Sequence, residues 1–348
     1  MKALQLTRWK ASPELVELDE PELGPGQVVV RIGGAGACHS DLHLLHDFDE
    51  GMLPFDPPFT LGHENAGWVH AIGEGVSWLE VGQPVAVYGP WGCGWCKRCR
   101  LGMENYCERQ GEIGVFGGGL GLDGGMAPLM LVPSSRLLVP LDTLDPVDAA
   151  PLTDAGLTPY HAIKRSLHLL EPGSTAVVIG IGGLGHLGVQ ILRALTAARI
   201  IAVDTRDEAL RLASESGADH TVTPGADAAD QIRDLTRGRG ADVVLDVVGS
   251  DDTLSLATAV SRPLGHVTLV GIAGGSIPFS FFSQPYEVSL ATTYWGSITE
   301  LMEVIALAEA GHLRPHVTRF SLDEAPAVYE KLAAGEIAGR AVVSPTGS

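Results

Sequence analysis

The chain has 348 residues (36.5 kDa), 45% of them hydrophobic and 19% charged, which is enough for two domains with buried cores and too apolar for a disordered segment. A net charge of −19 and a pI near 4.9 argue against nucleic acid or an anionic membrane as a partner. The opening MKALQLTRWK lacks the apolar core of a secretory signal, and no apolar run approaches the ~18 residues of a membrane span, so a cytoplasmic protein is expected.

Up to about residue 150 the sequence is a series of short apolar segments broken by Gly and Pro. Residues 28–32, 66–72 and 84–88 have the β-branched content and turn boundaries of strands. Among them stand two groups with metal-ligand chemistry, Cys38 and His63. One thiolate and one imidazole suit zinc, but a catalytic ion needs a third protein ligand and an open position. Spacing alone leaves open whether the pair are ligands or ordinary core residues.

The other four of the five cysteines follow in one stretch: Cys93, Cys96, Cys99 and Cys107. C-x2-C-x2-C-x7-C brings four thiolates from a short loop onto one ion, the ligand set of a closed structural zinc site. An iron–sulfur cluster uses the same ligands. Disulfides are the third reading, disfavoured where no secretory signature is present.

From about residue 174 the rhythm changes. Residues 175–180 (TAVVIG) are an apolar run of the kind found in strands buried on both faces. Residues 186–195 then carry helical spacing at Leu187, Val189, Ile191, Leu192 and Leu195. Strand patterns at 200–204, 220–223, 242–248, 266–271 and 288–294 alternate with helical ones such as 207–216. This alternation predicts a doubly wound parallel sheet. Helical patterns over 299–310 and 322–334 and a strand at 341–344 complete the chain.

Gly180-Ile-Gly182-Gly183-Leu184-Gly185 matches G-x-G-x-x-G, and it follows a strand and opens a helix, the context that gives the motif weight. Gly180 permits the tight turn, Gly182 lets backbone approach a pyrophosphate, and Gly185 lets helix and strand pack closely. The helix N-terminus then faces the phosphates. Asp204, at the end of the next strand, is placed to bind the adenosine ribose and would repel a 2′-phosphate. That favours NAD over NADP, with Arg206 pulling the other way.

The segments GACHSDLH (36–43), LGHENAG (61–67), TDAGLTPYHA (153–162), VIGIGGLGHLGVQ (178–190) and AGRAVV (338–343), with the four-cysteine loop, resemble the medium-chain, zinc-dependent alcohol dehydrogenases in order and over essentially the whole length. The resemblance implies an α/β protein: a GroES-like, mainly-β catalytic domain from 1–154 and 298–348, and a Rossmann NAD-binding domain at 155–297. It implies Cys38, His63 and Asp154 as catalytic zinc ligands, with Glu64 able to approach the metal. Asp154 stands where many members have a second cysteine, and some bacterial members carry Asp there. The carboxylate keeps the thiolate's charge with a harder donor, and the alternative for Asp154 is a helix N-cap. The four-cysteine loop would hold the second, structural zinc.

The resemblance further implies that Ser40 takes the substrate proton, with His43 as the outer relay and His46 its local rival. Asp41 would orient His63. His39, Thr158 and Arg340 would touch the cofactor, His39 and Arg340 near the pyrophosphate. Leu120 and Ile272 would line the substrate cleft, with Phe282 and Trp295 as aromatic walls. The expected reaction is reversible hydride transfer from a primary or secondary alcohol to NAD, apolar secondary alcohols preferred, in a homodimer or homotetramer. A polyol dehydrogenase of the same family is one alternative. A zinc-free quinone or enone reductase of the same fold is another, and would need neither set of zinc ligands. A non-enzymatic protein binding a partner through the cysteine loop is the remote third.

Overall fold

Strand Thr175–Ile179 is buried along its whole length, as a run without polar alternation requires when both faces are covered. In the computed structural model, which describes residues 1–346, it lies inside a six-stranded parallel sheet. The spatial order is His220–Val222, Arg199–Val203, Thr175–Ile179, Ala241–Asp246, Ser261–Leu269, Ser289–Thr292. Numbered by sequence this is 3-2-1-4-5-6, a doubly wound sheet whose order reverses beside Thr175–Ile179. Helices Gly185–Leu195, Asp207–Glu215, Ala228–Leu235 and Asp251–Val260 connect the strands. The core between sheet and helices includes Val177, Ile201, Val244, Ile232 and Val260. The strand expected at 266–271 begins earlier, at Ser261, across a register irregularity opposite 241–243. These elements form one unit, Thr158–Trp295.

The fingerprint turn shows why glycines stand in it. Gly180 has φ of 90°, in the left-handed region. A Cβ on Gly185 would lie 1.9 Å from the carbonyl oxygen of Gly180, whereas one on Gly182 meets nothing within 4 Å. Gly185 is therefore a packing glycine, and the space over Gly182 is open.

The second unit joins Met1–Leu157 to the stretch that starts at Gly296. Its spine is strand Val28–Ala37, paired antiparallel with Glu64–Ile72, Leu129–Val132 and the C-terminal Arg340–Ser344. The path continues through Pro84–Val87 and Leu138–Pro140 on one side and Val317–Ser321 on the other. The spine runs well past the expected 28–32 because Gly33, Gly34 and Gly36, poor strand formers, sit where neighbours crowd the backbone. A Cβ on Gly36 would be 2.0 Å from Glu64 Oε2. The helix expected from Asp154 begins at Leu157, and the pattern over 322–334 is a 3₁₀ turn, Leu322–Glu324, followed by helix Ala325–Ala333. No helix of the described residues is long and apolar enough to cross a membrane.

Gly185→Ala is expected to lower unfolding free energy by about 1–3 kcal/mol, the usual cost of forcing an extra group into a packed site. Gly182→Ala should leave stability unchanged. Urea unfolding of both variants checks this, and equal losses would contradict the division of roles.

Candidate active site

Register decides which side chains meet. Gly36 pairs with Glu64 and Ala37 with Ala341, so the ends of three strands coincide. Cys38, His63 and Arg340 therefore share one end of the sheet. Helix His39–His46 leaves from Cys38, whose N–H donates to Asp41 Oδ2 at 3.0 Å, closing the helix N-terminus. Asp154 arrives from the 3₁₀ turn Ala150–Thr153, which packs against strand Glu64–Ile72. It ends that turn, three residues before helix Leu157–Ser166.

Donor atoms of Cys38, His63, Glu64 and Asp154 all lie within 4.8 Å of one another. Asp154 Oδ2 is 3.9 Å from Cys38 Sγ and 3.7 Å from His63 Nε2. All four residues are buried or nearly so. One sulfur, one imidazole nitrogen and carboxylate oxygen from a closed pocket are donors that zinc accepts, and the residues fit that ion.

The surroundings orient these donors. His63 Nδ1 faces Asp41 Oδ1 at 3.0 Å, which turns Nε2 toward the centre, 3.3 Å from Ser40 Oγ. Tyr329, on helix Ala325–Ala333, donates its hydroxyl to Asp41 Oδ2 at 3.0 Å. Burial, and after it the Asp41 charge, pushes the Tyr329 phenol well above its usual range, so it stays a donor. Arg340 Nε donates to Glu64 Oε2 at 2.8 Å and its Nη2 to Oε1. Burial pushes Glu64 up to about 7 against the pull of that guanidinium. Arg340 was expected near the pyrophosphate; its guanidinium is engaged with Glu64. His43 Nδ1 pairs with Asp47 Oδ2, four residues on. His39 and His46 are exposed. Asp47 and Tyr329 were missed in the sequence. The i,i+4 spacing on a short helix was a usable signal for Asp47, whereas Tyr329 reaches the site only through tertiary packing.

In the cysteine loop, Cys99 Sγ lies 3.4 Å from Cys96 Sγ and 3.9 Å from Cys93 Sγ. Sulfurs in a tetrahedron about 2.3 Å from one ion stand about 3.8 Å apart. The set fits a single ion, and the separations are too short for thiolates spread around a multi-iron cluster. All five cysteines are free, which removes the disulfide reading. Backbone N–H from Cys99 holds the Cys96 thiol down at about 6, while burial pushes Cys99 up to about 12. A cation among them is what lets all four ionise together.

In the parallel-sheet unit, Gly182, Gly183 and Leu184 lead into helix Gly185–Leu195. Asp204 Oδ2 accepts the Ile181 N–H at 2.7 Å, which ties the acid to the fingerprint turn, and Oδ1 accepts the Arg206 N–H at 3.0 Å. Thr158 is buried in helix Leu157–Ser166. The substrate-cleft residues fall into unlike environments. Trp295 is buried and Leu120 half-buried, but Ile272 is 56% and Phe282 86% exposed. Phe282 packs edge-on against Phe281, itself 75% exposed, at 4.9 Å, as a pair on the surface.

Residues 24–143 match the alcohol dehydrogenase GroES-like domain and residues 183–310 the zinc-binding dehydrogenase family. The chain is 35% identical to an NAD-dependent alcohol dehydrogenase of Sulfurisphaera tokodaii, over 99% of this chain and 100% of that one. It is also 35% identical to a D-arabinose 1-dehydrogenase (NADP(+)) of Saccharolobus solfataricus, over 99% and 97%. The crystal structure of the alcohol dehydrogenase of Aeropyrum pernix is similar with a TM-score of 0.91 at 38% identity, over 99% and 100%.

Gly36→Ala should push the Glu64 carboxylate off Arg340 and lower unfolding free energy by about 1–3 kcal/mol. Denaturant unfolding checks it; wild-type stability in this variant would mean that Glu64 has room to spare.

Proposed function

The chain belongs to the zinc-dependent medium-chain alcohol dehydrogenases, and from that membership we propose that it oxidises apolar secondary alcohols to ketones, reversibly, at a Cys38–His63–Asp154 zinc centre. It is an NAD-dependent alcohol dehydrogenase. What is proposed is the substrate preference and the part each residue plays. The observation that carries the site reading is the convergence of Cys38, His63 and Asp154 around one point, with His63 aimed there by Asp41.

Zinc held there supplies Lewis acidity, which makes an alcohol hydroxyl acidic near neutral pH. Asp154 completes the ligand set with a hard oxygen donor, and Glu64 stays on Arg340. Ser40, beside His63 Nε2, takes the hydroxyl proton. His43 would take up a proton at its other nitrogen, reaching it from Ser40 through the cofactor's ribose, and give one from Nδ1 to exposed Asp47 and on to solvent. The Gly180–Gly185 turn and the helix behind it receive the NAD pyrophosphate, and Asp204 the adenosine ribose. His39 and Thr158 are the further cofactor contacts proposed, and Arg340 joins them through its position beside Glu64. Cys93, Cys96, Cys99 and Cys107 hold the second zinc, whose role is structural. The apolar character of Leu120, which is half-buried, supports the preference for an apolar substrate. A sugar or polyol substrate is the second reading, favoured by the likeness to D-arabinose 1-dehydrogenase.

We further propose a cytoplasmic homo-oligomer, dimer or tetramer. Exposed Phe279, Phe281, Phe282 and Tyr286 adjoin Ser289–Thr292, an edge strand whose outer side has no partner strand among the described residues. Sedimentation equilibrium at the mass of one chain would contradict it.

Metal analysis separates the two sites. Asp154→Ala should retain one zinc and lose alcohol oxidation, whereas Cys99→Ser should lose the other zinc and melt several degrees lower. Full activity with one zinc or none would contradict the assignment. Ser40→Ala should slow alcohol oxidation roughly 10²–10⁴-fold with both zincs retained, the range of general acid–base assistance. His43→Gln should cost less and mainly at lower pH; a Ser40→Ala enzyme of unchanged turnover removes Ser40 from the proton path. An NAD-reduction screen across primary, secondary, cyclic and polyhydroxy alcohols should rank apolar secondary alcohols first. Polyols ranking first would favour the second reading.

A further inference from the structure

Helix Ala325–Ala333, near the far end of the chain, packs against helix His39–His46. At that contact stands a phenol that the proposed reaction does not use. Tyr329 is 3% exposed, and its hydroxyl donates to Asp41 Oδ2 at 3.0 Å. The same oxygen accepts the Cys38 N–H at 3.0 Å, and Oδ1 lies 3.0 Å from His63 Nδ1. We infer that Tyr329 is a positioning residue for the metal centre: by fixing Asp41 Oδ2 it sets the direction of Oδ1, and through it the tautomer and tilt of His63. The inference rests on the assignment of Cys38, His63 and Asp154 as metal ligands.

The physical argument turns on how few donors Asp41 has. Without Tyr329 the Oδ2 side is held by the Cys38 N–H alone, three residues away on the same stretch of chain, and the carboxylate can swing about its Cβ–Cγ bond together with the His63 ring. A second donor on that oxygen, from a separate helix, fixes its plane. Asp41 is fully buried, so water does not stand in for a lost partner. Cys38 and His63 both hang on this carboxylate, one through its backbone and the other through its ring. Any rotation of Asp41 is therefore felt by two ligands at once. Groups that orient a metal-bound histidine are typically worth 10–100-fold in metal affinity. Tyr329 acts one step further out, through Asp41, which puts its effect at about tenfold, the lower end of that range. Tyr329→Phe removes the hydroxyl and keeps the ring, so the helix contact survives.

The test compares the zinc-loaded enzyme with Tyr329→Phe and Asp41→Asn. Zinc affinity is read by competition against a chromophoric chelator, and thermal unfolding is measured on the chelator-stripped proteins alongside. One of the two zincs should be held about tenfold more weakly in Tyr329→Phe, and more weakly still in Asp41→Asn. The zinc of the four-cysteine loop should not change. A purely structural tyrosine would lower the unfolding temperature of the stripped protein and leave both zinc affinities unmoved, and that result overturns the inference. Unmodified protein that takes up only the four-cysteine zinc would instead overturn the ligand assignment, and the inference with it.

Discussion

Cys38, Asp41, Glu64 and Asp154 place four acidic groups at one end of a sheet, all buried or nearly so. Unbalanced charge in such a pocket costs several kcal/mol per ion even after relaxation. Arg340 supplies one positive charge, through two contacts to Glu64. With Glu64 engaged by Arg340, a divalent metal is what would balance a Cys38 thiolate and the Asp154 carboxylate as ligands. The ligand set is thus a charge arrangement as much as a coordination geometry. Held by Arg340, the Glu64 carboxylate is paired inside that pocket.

The backbone that delivers these charges is constrained just as tightly. Cys38, Glu64 and Arg340 meet because Gly36 faces Glu64 and Ala37 faces Ala341 across two antiparallel pairings. A slip of one residue in either would turn a ligand or its partner to the opposite face. Gly36 has no side chain because Glu64 fills the space one would occupy. The C-terminal stretch enters twice, with Tyr329 on its helix and Arg340 on its strand. One unit of the fold is accordingly assembled from both ends of the chain, and the NAD-binding sheet is inserted between them.

Much of this was legible in the residues. The doubly wound sheet followed from apolar runs alternating with helical spacing, because strands buried on both faces cannot hide their composition. The fingerprint turn was readable because its glycines answer to local geometry: φ at Gly180 and a carbonyl against Gly185. The four-cysteine loop was readable because its ligands are near neighbours in sequence. Cys38, His63 and Asp154 were not readable by spacing, since sheet register and the packing of a 3₁₀ turn bring them together, and the family resemblance supplied the set. The Arg340–Glu64 ion pair, between residues 276 positions apart, was not readable either. Tyr329 and the surface setting of Phe282 depend on packing that no local pattern encodes.

Zinc-edge X-ray absorption of the fully loaded enzyme tests the two-site charge arrangement most directly. All five cysteines should appear as ligands shared between two zincs, with nitrogen and oxygen donors completing the coordination of the zinc bound by Cys38. In Asp154→Ala the spectrum should move to that of a purely sulfur-bound zinc. A wild-type spectrum showing sulfur alone, or one unchanged by Asp154→Ala, would contradict it.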